Sequence, residues 1–150
     1  MARIAGALHG HRRIGIDTSV FIYHLEGTSR YAACAEIIFD ELATGAFKGV
    51  TSVLTLMELI VRPLQLGRPD VADEYEVLVT NYPHLTIVGI DRQTVRQAAE
   101  LRAIYRLRPA DALQVAASLR DGATAFVTND RDLRRVTDVT VVLLEDFVEG

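Results

Sequence analysis

Four acidic residues stand where acid–base or metal chemistry would need them. Asp17 ends a short apolar run, Glu58 lies in an apolar helical stretch, Asp111 follows Pro109 in a helical first turn, and Asp130 comes just after another apolar run. Each has an ordinary structural role as an alternative. Asp17 suits a helix N-cap, Asp111 complements a helix dipole, and Asp130 in Thr128-Asn129-Asp130-Arg131 suits a turn. Glu58 is harder to assign that way, because Leu54, Leu56, Met57, Leu59, Ile60 and Val61 make its helix apolar around most of its circumference. A carboxylate there sits at the rim of the core or needs a partner, since a lone buried charge is costly. Carboxylates gathered in one pocket repel one another and must take up protons or bind a cation. The four histidines (His9, His11, His24 and His84) show no paired ligand spacing, so oxygen donors favour Mg²⁺ or Mn²⁺ over zinc. His24 is expected at the surface or at a dimer contact.

Acids so far apart in sequence meet only if the elements carrying them converge. Arg13 to Asp17 reads as a buried strand with two Ile facing one way and Gly15 between them. Helices are expected over Thr18 to Glu26 and Tyr31 to Leu42, and a strand over Gly49 to Ser52. A further helix runs from Val53 to Val61 and stops near Pro63, since proline disfavours helix at the residue before it. An acidic helix over Asp70 to Asn81 precedes a strand over Leu85 to Ile90. Asp91 then caps a helix to Leu107, and Pro109 opens another that lasts to Asp121-Gly122. Strands over Ala123 to Thr128 and Val139 to Leu144 close the chain. Alternating strands and helices of this length predict an α/β domain with a mainly parallel sheet covered on both faces. In such sheets ligands collect beyond the carboxyl ends of the strands, where three of the acids lie in or beside the loops.

The 150 residues suffice for one domain that buries about 70% of its unfolded surface. With 49% hydrophobic and 24% charged residues, the chain is neither disordered nor fibrous. The single Cys34 excludes an internal disulfide, and no apolar run approaches the roughly 18 residues of a membrane span, so a cytoplasmic protein is expected. The net charge of -4 argues against a nucleic-acid partner, but its distribution does not. From Asp91 to Arg135 nine arginines face six acids. A locally basic face permits a phosphate-bearing substrate, and equally describes a solvated helix surface.

The segments Ile16-Asp17-Thr18-Ser19-Val20-Phe21-Ile22, Thr55-Leu56-Met57-Glu58-Leu59, Asp111-Ala112-Leu113-Gln114-Val115-Ala116-Ala117-Ser118 and Phe126-Val127-Thr128-Asn129-Asp130 resemble, in order and spacing, the four motifs of PIN-domain ribonucleases. In particular they resemble the VapC-type toxins of toxin–antitoxin pairs, over roughly Ile14 to Leu144. The resemblance implies a PIN-like three-layer α/β/α fold with a mainly parallel sheet of strand order 3-2-1-4-5, which would bring Asp17, Glu58, Asp111 and Asp130 together. It also implies metal-dependent RNA hydrolysis by water, leaving a 5′-phosphate and a 3′-hydroxyl.

On that footing Asp17 and Asp111 are the expected ligands of a first Mg²⁺ or Mn²⁺. Glu58 would complete the site or orient the attacking water, and Asp130 would be the fourth acid. Thr18, Ser19, Thr128 and Asn129 are expected in support, with Asn129 and Asp132 as substitutes should Asp130 point away. Arg108 and Arg131 are candidate RNA contacts, and Arg92, Arg96, Arg102 and Arg106 a candidate approach surface. Expected partners are an RNA substrate, a small antitoxin and a second copy in a homodimer. Phe21, Ile22, Tyr23 and Tyr31 offer apolar surface for such pairing or belong to the core. Residues 1–12, longer than the usual lead, are expected to be flexible. Two alternatives stand beside this assignment. One is a catalytically inactive PIN-like RNA- or protein-binding module. The other is phosphoryl transfer through Asp17, for which Ser19 stands where the familiar phosphatase pattern has a second Asp.

Overall fold

The computed structural model describes residues 3–148. Its order is α1 (Arg3–Leu8), β1 (Arg13–Ile16), α2 (Thr18–Glu26), α3 (Ala32–Ala43), β2 (Lys48–Ser52), α4 (Val53–Gln65), α5 (Pro69–Thr80), β3 (Leu85–Val88), α6 (Arg92–Tyr105), α7 (Pro109–Arg120), β4 (Ala125–Thr128) and β5 (Thr140–Leu143). Short 3-10 turns follow at Arg131–Arg135 and Leu144–Phe147. The five strands pair in parallel in the order β3-β2-β1-β4-β5, as the resemblance implied.

Alternation along the strands decides what each sheet face carries. Ile14 and Ile16 of β1, with Ala125 and Val127 of β4, join the cluster built from α1, α2, α3, α4 and α5. Phe126 and Val141 point the other way, onto α6 and α7. The result is a sheet between two helical layers, with β4 and β5 presenting apolar side chains to both. Gly15 is required between the two Ile. A Cβ there would overlap Ser118 Oγ and come within 2.6 Å of the Phe126 ring, so α7 lies directly on β1 at that point.

Parallel pairing puts the carboxyl ends of all strands on one edge. The chain leaves β1 for β2 on one side, and later returns to place β4 on the other side. Neighbouring connections therefore diverge between β1 and β4, the position where an open α/β sheet leaves a crevice. Asp17 N–H donates to Val127 O at 3.0 Å, which extends this pairing one residue past β1.

Two expectations need correction. The N-terminal lead contains α1, because Ile4 and Leu8, one helical turn apart, are buried against α3 and the turn at Leu144–Phe147. Met1 and Ala2 fall outside the described residues. Helix α4 does not stop before Pro63. It continues to Gln65 with Pro63 buried inside its last turns, where one missing N–H removes only the bond to Leu59 O. Along its outer side Val53, Met57, Val61 and Leu64 form an exposed stripe, Met57 at 57% exposure. Phe21 is core at 2% exposure, while Ile22, Tyr23 and Tyr31 are partly buried against the same cluster. His24 stacks on Phe39 with ring centroids 4.4 Å apart and is half-buried, which pushes its pKa down.

Candidate active site

Asp17 follows β1 and caps α2, its Oδ1 accepting from Thr18 N–H at 2.9 Å. Its other oxygen accepts from Thr128 Oγ1 at 2.7 Å, and Thr128 in turn accepts from Asp130 N–H at 3.1 Å. One hydroxyl at the end of β4 thereby fixes the acid after β1 and the loop carrying the next acid. Asp17 both caps α2 and lines the floor of the cleft, so its capping role does not remove it from the site. Burial pushes its pKa up to about 6 against the pull of those two hydrogen bonds, and the charges of Asp111 and Glu58 raise it further.

Glu58 has the partner its apolar surroundings called for. Thr18 Oγ1 donates to Glu58 Oε1 at 2.8 Å across the junction of α2 and α4. Asp111 sits in the first turn of α7, whose other faces are packed by Ala112, Val115, Ala116 and Ala117. Its pKa is raised by burial and then by Asp130, against the counter-effect of Arg108. Asp130 opens the turn at Arg131–Arg135, accepting from Asp132 N–H at 2.9 Å. The Arg108 guanidinium bridges the last two acids, 3.4 Å from Asp111 and 3.1 Å from Asp130.

All four acids line one open cleft of ≈ 710 Å³ at the β1/β4 crevice, together with Thr18, Ser19, Tyr23, Asn129, Arg108 and Arg131. Ser19 Oγ is buried on this wall with no hydrogen-bond partner. Asn129 is a brace: it donates to Tyr23 Oη at 3.1 Å and accepts from Glu145 N–H at 3.1 Å. Asp132 does not line the cleft; it lies 4.0 Å from Arg135 on the exposed side of its turn. Arg131 reaches the rim, but its Nε is bound by Glu145 at 2.7 Å. The arginines of α6 do not form one uniform face either. Arg96 pairs with Glu100, Arg102 donates to Leu107 O at 2.9 Å, and Arg106 closes the helix at φ 57°.

The donor set suits a hard cation. Its carboxylate donors are oxygen, two of its carboxyls are held above their usual pKa by burial and by neighbouring acids, and Ser19, on the cleft wall, keeps a buried hydroxyl without a partner. Arg108 shows that positive charge is accommodated between Asp111 and Asp130. Among the described residues, no three His, Cys, Asp or Glu side chains converge closely enough to hold an ion as they stand.

Sequence reasoning missed Gln114, which is buried at 2% exposure behind the acids and hydrogen-bonded to Ser52, Thr55 and Thr18. The signal was the one that singled out Glu58: a lone polar residue in the otherwise apolar stretch Ala112-Leu113-Gln114-Val115-Ala116.

Solved structures share this fold. A chain of the VapBC2 complex from Rickettsia felis bound to a DNA fragment from their promoter superposes with a TM-score of 0.70 at 15% identity, covering 87% of this chain and 98% of its own. A chain of a toxin–antitoxin complex from Klebsiella pneumoniae gives 0.65 at 19% identity, with 87% and 97% covered. A chain of DNA-bound VapBC from Salmonella typhimurium gives 0.67 at 19% identity, with 88% and 98% covered. No curated protein matches the chain in sequence. The PIN domain family model matches residues 14–139, from β1 to the approach of β5 and through all four acids, so the chain belongs to the PIN domain family.

Proposed function

We propose that this protein is a metal-dependent endoribonuclease and the toxin of a toxin–antitoxin pair, hydrolysing RNA phosphodiester bonds with water as the nucleophile. The observation that carries the proposal is the meeting of Asp17, Glu58, Asp111 and Asp130 in one cleft. Asp17 and Asp111 would hold Mg²⁺ or Mn²⁺, with Glu58 completing the site or orienting the attacking water and Asp130 as the fourth acid. When bound, the ion supplies a water of lowered pKa and neutralises charge on the scissile phosphate. Thr128 and Thr18 keep their carboxylate partners turned toward the cleft. Arg108, exposed on its solvent side, exchanges its contacts with Asp111 and Asp130 for an RNA phosphate. Arg131 stands at the rim as a weaker contact because Glu145 already engages it.

An antitoxin partner is supported by the complexes that share the fold and by an apolar groove of ≈ 350 Å³ joined to the cleft through Ile22 and Glu58. Leu25, Leu59, Pro63, Leu66 and Tyr75 line it. The exposed stripe of α4, with Val77 and Leu78 of α5, offers apolar surface for a homodimer. Among the described residues no helix is long and apolar enough to cross a membrane.

The test is cleavage of total cellular RNA by partner-free protein in Mg²⁺ or Mn²⁺ and in EDTA, beside Asp17→Asn. Cutting that needs the metal and is lost in the variant is expected. RNA binding without metal and without cleavage would replace this proposal with the binding module.

A further inference from the structure

Behind the cleft lies a set of polar side chains sealed from solvent: Thr18, Thr51, Ser52, Thr55 and Gln114, none more than 5% exposed. Their hydrogen bonds run in one direction. Ser52 Oγ accepts from Leu54 N–H and gives its own proton to Gln114 Oε1 at 2.6 Å. The Gln114 amide nitrogen therefore faces the threonines, one hydrogen to Thr18 Oγ1 at 3.0 Å and one to Thr55 Oγ1 at 2.8 Å. Thr51 donates to Ile16 O at 3.0 Å, so the 2.7 Å contact between Thr51 and Thr55 takes the proton of Thr55. Thr18 then has one proton and two acceptors in reach, Glu58 Oε1 at 2.8 Å and Thr55 Oγ1 at 3.0 Å; the carboxylate is the nearer and stronger, and Thr55 already accepts from Gln114. The reverse amide orientation would set the Gln114 oxygen against Thr18 and Thr55, whose protons go to Glu58 and Thr51.

We infer that Gln114 is a positioning residue for the hydrolytic site: by donating to both Thr18 and Thr55 it fills an acceptor site on each and favours the bond from the Thr18 hydroxyl to Glu58, which holds that carboxylate in place facing the cleft. The chain of contacts ties the ends of β1 and β2 to α4 and α7, so the acid on α4 keeps register with those after β1 and on α7. A free hydroxyl at Thr18 would rotate between Thr55 and Glu58. The inference rests on the hydrolase proposal for Glu58.

The experiment compares wild type with Gln114→Leu, Gln114→Asn, Thr18→Val, Thr18→Ser and the Gln114→Leu/Thr18→Val pair. Mn²⁺ affinity is read from free Mn²⁺ by electron paramagnetic resonance, RNA cleavage as kcat and KM, and folding by Tm. Loss of a partner that orients a metal ligand typically costs about 10–100-fold. Accordingly, Gln114→Leu and Thr18→Val should each lose about tenfold in Mn²⁺ affinity or kcat, with KM for RNA unchanged. The pair should be no worse than Thr18→Val alone, and Thr18→Ser, which keeps the hydroxyl, should recover most of what Thr18→Val loses. Gln114→Asn preserves polarity but is too short to span both threonines, so it carries the test should Gln114→Leu fail to fold, and the same loss is expected. A folded Gln114 variant with wild-type Mn²⁺ affinity and kcat, or full additivity in the pair, overturns the inference alone. Wild-type protein that neither binds Mn²⁺ nor cleaves RNA removes the hydrolase proposal and this inference with it.

Discussion

The floor and the rim of the same cleft are held by different physics. On the floor, Asp17 and Glu58 are fixed by short hydrogen bonds from Thr128 and Thr18, side chains that are themselves buried and spoken for. At the rim and on the surface beside it, Arg108, Arg131 and Arg134 meet Asp111, Asp130, Glu145 and Asp146 through ion pairs in which every arginine is more than half exposed. Buried polar networks are costly to break and hold one geometry. Exposed ion pairs contribute little and exchange partners with water and salt. The floor is therefore suited to positioning, and the rim to trading one charged partner for another, as an incoming polyanion requires.

That contrast is tested most severely at the two acids proposed to hold the ion, Asp17 on the floor and Asp111 at the rim. Asp17→Asn or Asp111→Asn should reduce RNA cleavage by at least about a hundredfold, since removing a carboxylate takes away a cation's ligand and its charge together. Activity within a few-fold of wild type in both variants would mean that the chemistry lies elsewhere. Next comes the scaffold beneath it. Gly15→Ala forces a methyl group against Ser118 and Phe126, and should lower stability by about 1–3 kcal/mol in urea unfolding. An unchanged midpoint would show that α7 yields by sliding off β1.

How far these residues were legible in the sequence follows the same division. Strand and helix order could be read because alternation in Ile14-Gly15-Ile16 and the caps Asp17 and Asp91 are local signals. The strand order came from resemblance, because nothing local says that β4 inserts beside β1. Glu58 was conspicuous, a charge among apolar neighbours, and Gln114 carried the same mark without a charge to draw attention. Its partners Thr51, Ser52 and Thr55 come from the end of β2 and the start of α4, so only the assembled fold shows them meeting. Pro63 and α1 were misjudged because tertiary burial overrode local rules: a helix breaker is tolerated where its ring is buried, and a short lead folds where Ile4 and Leu8 find α3. The partners of Arg131 were beyond reach for the opposite reason, since Glu145 lies past β5 and long exposed side chains leave no periodic trace.

A smaller effect separates floor from rim by pH. A carboxyl whose pKa rises from 3.8 unfolded to about 6 folded binds its proton more tightly in the folded state, so metal-free protein loses stability as pH rises across that interval. Asp17→Asn removes the penalty of the buried charge. It should raise Tm by a few degrees at pH 7.5, for an effect of order 1 kcal/mol, and leave it nearly unchanged at pH 3.5. Equal Tm differences at both pH values would show that the Asp17 charge is not what burial penalises.

The rim should respond least. Glu145 draws Arg131 at 2.7 Å and Arg134 at 3.8 Å, and those contacts hold its pKa below the usual carboxylate range. The sign is opposite to that of Asp17: the stabilisation is present above the ordinary glutamate pKa and fades as pH falls through the depressed value. All three side chains meet solvent, so screening leaves little of it. Glu145→Gln should leave Tm unchanged within error at 150 mM salt. Releasing Arg131 toward the cleft should tighten RNA binding about two- to threefold at low salt, an advantage that disappears as ionic strength rises. Weaker RNA binding in Glu145→Gln would assign the acid a different task, that of keeping Arg131 aligned for the substrate, and the rim would then share in the positioning now given to the floor alone.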